Sequence, residues 1–139
     1  MILGLLVAAA AMLRADAPKS GDKPATQQGA DSEAVVKKIT LAEFDVMRAE
    51  KDTVVLDVRT PREFAAGHVP GAINVDWHLR DFNEHMAKLD KSKKFLVHCM
   101  AGGRSAAATR RMSTLGFAHL YDFSGGWSQY SKASKPVEK

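Results

Sequence analysis

The chain has one cysteine, Cys99, among its 139 residues. That excludes an internal disulfide and any metal site built from several thiolates. The five histidines show no pair at convincing ligand spacing, so neither a metal nor a cofactor is expected. Aromatics are few, 7%, and do not alternate with basic residues, while the lysines are scattered rather than striped. The formal charge of +4 therefore reads as a solvated basic surface, and no nucleic-acid partner is expected. No apolar run approaches the ~20 residues that a membrane-spanning helix needs. The nearest, Ile2 to Leu13, instead suits the core of a secretory signal, with Ala15-Asp16-Ala17 as a small-x-small cleavage site. No Lys or Arg precedes that run and Pro18 follows the cut, which leaves a short uncleaved anchor as the alternative. The expectation is a signal peptide over residues 1–17 and a periplasmic or secreted protein, with a cytoplasmic one as the alternative. No membrane contact beyond the signal is expected.

What is present is the composition of one soluble domain, 45% apolar and 26% charged. Residues 18–38 read as a disordered linker, Pro-, Gly-, Ser- and Gln-bearing and without apolar periodicity to about residue 34. Residues 39–139 read as the folded domain. Thr40 and Glu43 form a capping box that predicts a helix start at Thr40. Thr53 to Val58 is a short β-branched run, the pattern of a strand buried on both faces. Thr60-Pro61 opens a second helix that must stop by Gly67. Ala72 to Val75 reads as a strand, Asp81 to Leu89 as a polar helix, and Phe95 to His98 as a strand ending on Cys99. A helix from Ser105 to Leu115, a strand over His119 to Tyr121 and a short helix from Trp127 complete the pattern. Alternation of this kind predicts an α/β fold, a mostly parallel sheet covered on both faces. Ligands of such sheets bind beyond the carboxyl ends of the strands, where Cys99 falls.

The loop Cys99-Met100-Ala101-Gly102-Gly103-Arg104-Ser105 carries the chemistry. Its two glycines allow backbone angles that turn amide N–H groups inward, and the following helix aims its free N–H groups at the same place. Arg104 adds a forked cation suited to an oxyanion. A thiol in that field is expected to ionise easily and to stand exposed beside an anion cradle, as a nucleophile. A buried inert cysteine would need neither the glycines nor the arginine.

Three stretches resemble the rhodanese family of sulfurtransferases. They are Leu56 to Phe64 continuing through Gly67-His68-Val69-Pro70-Gly71-Ala72-Ile73-Asn74; Val97-His98-Cys99 to Ser105; and Gly116-Phe117 with Gly125-Gly126-Trp127. The resemblance implies a rhodanese-like sheet of about five parallel strands. It also implies a double displacement. Cys99 takes the outer sulfur of thiosulfate or a similar donor as a persulfide, and a cyanide or thiol acceptor, or a sulfur-accepting protein, removes it. Met100, Ala101, Gly102, Gly103, Arg104 and Ser105 are then the substrate-binding residues, with Arg104 on the donor's oxyanion. Asp57, Arg59 and Glu63 are expected to brace the loops, Arg59 and Glu63 being four apart. His98 should point to the opposite side of its strand from Cys99, and His68 should pack a turn. Trp77, His78 and Arg80 are candidates for the pocket rim, and Trp127 for a core anchor. Two other functions compete. One is a persulfide carrier or partner-binding module that does not turn over. The other is a phosphatase or arsenate reductase, whose loops hold five residues between Cys and Arg, against four here.

Overall fold

The computed structural model describes residues 34–139; the signal-peptide reading and most of the linker reading lie outside them. Five strands form one sheet in the order β1-β5-β4-β2-β3, with every pairing parallel. The strands are β1 (Val36–Lys38), β2 (Thr53–Asp57), β3 (Ile73–Asn74), β4 (Lys94–His98) and β5 (His119–Asp122). The helices are α1 (Leu41–Met47), α2 (Pro61–Ala66), α3 (Phe82–Ala87), α4 (Gly103–Thr114) and α5 (Gly126–Lys132).

One boundary needs correcting. The expected linker ran to residue 38, yet Val36, Lys37 and Lys38 pair with Leu120, Tyr121 and Asp122 as an edge strand. Val36 packs on the core from that edge, and three residues are too few to show a strand period in the sequence. The helix after Cys99 also starts earlier than expected, at Gly103.

β2 and β4 form the centre and are paired from Thr53–Lys94 to Asp57–His98. Alternation along them divides the core into two layers. Phe95, Val97 and Leu56 join Phe82 and Met86 of α3 and Ala108 and Met112 of α4 on one face. Leu96 and Val55 join Phe44 of α1 and Tyr130 of α5 on the other. The chain leaves β2 toward β3 on one side and β4 toward β5 on the other. The carboxyl ends of β2 and β4 therefore flank the topological switch point, the place where sheets of this kind bind their ligands.

Candidate active site

Cys99 continues the inward face of β4 and packs with Val97, Phe95 and the α3–α4 layer. His98 faces the other way, edge-on to Phe44 and beside Phe123, as its place in the strand predicts. The Gly102 N–H donates to Cys99 Sγ at 3.0 Å, and the Ser105 hydroxyl lies 3.8 Å from the sulfur. Gly102 is left-handed, φ +105°, and a Cβ there would stand 2.9 Å from the Ser124 carbonyl oxygen. Gly103 is different: it is already helical, and a Cβ would point into open space. Only one of the two expected loop glycines is demanded by the backbone.

The loop is held from behind by α5. The carbonyls of Cys99 and Met100 accept from the N–H groups of Trp127, at 2.8 Å, and Ser128, at 3.0 Å. With their carbonyls tied to α5, these peptides leave the loop amides free to face the sulfur. Gly126, at φ +60°, permits the close approach, since a Cβ there would meet those two carbonyl oxygens at 2.6 and 2.7 Å. Trp127 thus supports the loop through its backbone as well as anchoring the helix.

Burial pushes the Cys99 thiol up, but the amides of Ser105, Gly102 and Ala101 and the Ser105 hydroxyl outweigh it. The net effect holds the thiol below its ordinary value, because N–H dipoles aimed at sulfur favour the thiolate. The sulfur is not exposed as expected: Cys99 is 1% accessible and forms the floor of its loop. Met100 is half-buried and Ala101 exposed above it.

Arg104 reaches across to Glu63 with a bidentate pair of 2.8 and 3.1 Å. The expected Arg59–Glu63 contact does not form. Arg59 turns instead to Asp57, and Glu63 combines the cap of α2, through Thr60, with the pair to Arg104. The Arg104 guanidinium, with Thr60 bonds adding to it against burial, lowers the Glu63 carboxyl to about 2. The stabilisation this implies is complete above the ordinary 4.5 and fades as pH falls toward about 2. In denaturant titrations, Glu63→Gln should therefore cost about 1–2 kcal/mol near neutral pH, after allowance for solvent screening. It should also flatten the loss of stability across that acid range.

Behind the loop lies a buried polar cluster. Asp57 is fully buried and accepts from the Arg59 backbone N–H at 3.0 Å, from Nε at 2.9 and 3.0 Å and from Nη2 at 2.7 Å. Arg59 also donates to the Gly67 carbonyl at 2.8 Å and lies over the Trp127 ring at 4.6 Å. Asn74 Nδ2 bonds the carbonyls of Asp57 and Arg59, both at 2.9 Å. His98 Nδ1 lies 3.1 Å from the Cys99 carbonyl, and burial drives this imidazole toward its neutral form against the pull of Asp57. Of the three residues expected to brace the loops, Asp57 and Arg59 pair with each other and Glu63 pairs with Arg104. His68 stacks on Phe64 at 3.6 Å and contacts its carbonyl at 2.8 Å, a turn-packing role.

One residue was missed. Asp122, at the end of β5, is 1% exposed and accepts from Ser105 Oγ at 2.7 Å. Burial raises its carboxyl above the usual range despite that hydrogen bond. It fixes the hydroxyl nearest Cys99. The only sequence signal was a carboxylate ending a buried strand. Among the described residues no three His, Cys, Asp or Glu side chains converge as a metal site would require.

Comparison with known proteins fits this geometry. The rhodanese-like domain family matches residues 40–133. The chain belongs to that family. Thiosulfate sulfurtransferase 16, chloroplastic, of Arabidopsis thaliana is 39% identical over 93 residues, covering 60% of this chain and 78% of the relative. Thiosulfate sulfurtransferase GlpE of Pseudomonas putida is 34% identical over 93 residues, covering 66% and 81%. Rhodanese-like sequence also occurs in larger proteins. A tRNA uridine(34) hydroxylase of Cytophaga hutchinsonii is 36% identical over 97 residues, but these are 68% of this chain and only 31% of that protein. Among solved structures, a rhodanese-related protein of Thermoplasma volcanium is 32% identical with a TM-score of 0.62, covering 73% of this chain and 97% of that one. The rhodanese segments read from sequence all fall within the matched region.

Proposed function

We propose that this rhodanese is a sulfurtransferase that carries sulfane sulfur on Cys99. The thiolate attacks the outer sulfur of thiosulfate, the S–S bond of the donor breaks, and sulfite leaves with the bonding electron pair. Cys99 then holds the sulfur as a persulfide, and cyanide or a thiolate attacks its outer sulfur and restores the Cys99 thiolate. The observation that carries this reading is the Gly102 N–H donating to Cys99 Sγ at 3.0 Å within a ring of loop amides and the Ser105 hydroxyl that holds the thiol below its ordinary value, so that no general base is needed. The terminal sulfur sits about 2 Å beyond Sγ, among the amides of Met100 to Arg104. Arg104 keeps part of its donor fork for the sulfonate while Glu63 holds the rest.

The 1% exposure of Cys99 favours a second reading, a carrier that shields its persulfide until a partner arrives. Steady-state sulfite release from thiosulfate separates the two. Continuous release with cyanide or dithiothreitol is the expected result for the enzyme. A single equivalent of sulfite per chain, with no further turnover in the presence of either acceptor, would mark the carrier.

A further inference from the structure

Ser105 stands between two acidic groups. It is fully buried, and three acceptors surround its one hydroxyl proton: the Gly102 carbonyl at 3.2 Å, Asp122 Oδ1 at 2.7 Å and Cys99 Sγ at 3.8 Å. We propose that Asp122 is a positioning residue for the sulfur chemistry. Ionised, it draws the Ser105 hydroxyl proton away from Cys99 and keeps the thiolate more basic, and so more nucleophilic, than the loop would otherwise leave it. The inference rests on the sulfurtransferase reading above, which makes Cys99 the attacking group.

The accounting of that proton leads there. A carboxylate oxygen at 2.7 Å outcompetes a carbonyl at 3.2 Å and a sulfur at 3.8 Å. While Asp122 is ionised, the hydroxyl donates to it and turns its lone pairs toward Cys99. There they accept the S–H of the thiol and offer nothing to the thiolate. Once Asp122 is protonated, its own O–H donates to Ser105 Oγ and the hydroxyl proton is released to the sulfur. The thiolate then gains a donor. Two anions share one hydroxyl, so each ionises at the expense of the other.

The surroundings of Asp122 make both states reachable. Its backbone is held between Lys38 of β1 and Val97 of β4, and its carbonyl accepts from the Ile39 N–H at 3.0 Å. Burial raises the carboxyl, while Lys38 and Arg110, the cations facing it from β1 and α4, pull it back down. These two and Asp122 line a cleft of about 140 Å³, through which the carboxyl exchanges its proton with solvent. On the sulfur side the facing cation is Arg104, which favours the thiolate whichever way the hydroxyl turns. Sulfur transfer ends the competition. In the persulfide the charge lies on the outer sulfur, about 2 Å beyond Sγ, and the hydroxyl stays with Asp122. Asp122 thus acts on the attacking thiolate rather than on its product.

The test follows the reaction of the full chain with methyl methanethiosulfonate as a function of pH. Cys99 is the only cysteine, so the reagent reports on it alone. Asp122→Asn should lower the midpoint of the profile. Because nucleophilicity falls with basicity, the rate should rise about threefold below the midpoint and fall about threefold on the alkaline plateau. A merely loosened loop would speed the reaction at every pH. Asp122→Ser, a second uncharged variant, should give the same crossing. The effect of Asp122→Asn should largely vanish in a Ser105→Ala background and persist in Ser105→Thr, with thermal melting reporting that each variant is folded. An unmoved midpoint in the folded Asp122 variants, or an equal shift with and without the Ser105 hydroxyl, would overturn the proposal. Thiosulfate loading is read separately. Crossing profiles in a protein that takes no sulfur from thiosulfate leave the role of Asp122 standing and sink the sulfurtransferase reading; normal loading with unmoved profiles does the reverse.

Discussion

Cys99→Ser should abolish sulfur transfer from thiosulfate to cyanide, with turnover falling roughly 10³-fold or more, to the uncatalysed background. The reason lies in which form of the side chain the loop can stabilise. The Gly102 N–H at 3.0 Å and the neighbouring amides lower a thiol that already ionises within reach of neutral pH. A hydroxyl ionises so far above that range that the same field leaves it protonated. Serine also forms no persulfide, so the first displacement has no product. Its small size and its ability to accept the Gly102 N–H should leave the fold intact. The variant should therefore melt within a few degrees of the wild type while its activity disappears. Retained transfer in a folded Cys99→Ser protein would place the chemistry elsewhere.

The second large effect concerns stability. Arg59→Met should destabilise the domain by about 3–5 kcal/mol, because it strands the fully buried Asp57 carboxylate without its bidentate partner. For a domain near 100 residues, that corresponds to a fall in Tm on the order of 15–30 °C. The same substitution frees the Gly67 carbonyl and removes the cation over Trp127, the residue whose N–H holds the Cys99 carbonyl. Activity at low temperature should therefore drop as well, through a loosened loop. Adding Asp57→Asn should recover part of the stability, since no unpaired charge then remains in the core. Urea unfolding of the two single variants and the double variant measures the coupling directly. An Arg59→Met cost below about 1 kcal/mol would mean that the pair is not dry.

Much of this arrangement is visible in local sequence. The Thr40–Glu43 capping box forms where spacing places it, and the second helix opens at Thr60-Pro61 as its sequence indicates. The β-branched run from Thr53 becomes a central strand, and the step from strand to helix at Cys99 puts the nucleophile at a carboxyl end. What escaped were contacts between residues far apart in the chain. Glu63 meets Arg104 across 41 positions and Ser105 meets Asp122 across 17. A spacing rule for one helix offered Arg59 as the partner of Glu63, but Arg59 lies before the Thr60 cap and folds back on Asp57. The backing of the loop by α5 was equally hidden, because a backbone N–H carries no sequence signature. Burial of Cys99 followed from those same long-range contacts. The glycine pair shows the limit in small: spacing suggested two special positions, and packing against Ser124 requires only Gly102.

The central claim is that Cys99 carries sulfur. Intact-mass spectrometry of the full chain, after incubation with thiosulfate and again after cyanide, tests it most directly. The account predicts a gain of one sulfur atom, about 32 Da, that is absent in Cys99→Ser and that cyanide removes. A wild-type mass unchanged by thiosulfate and by a second sulfane donor such as a polysulfide, or a gain that survives in Cys99→Ser, would contradict it.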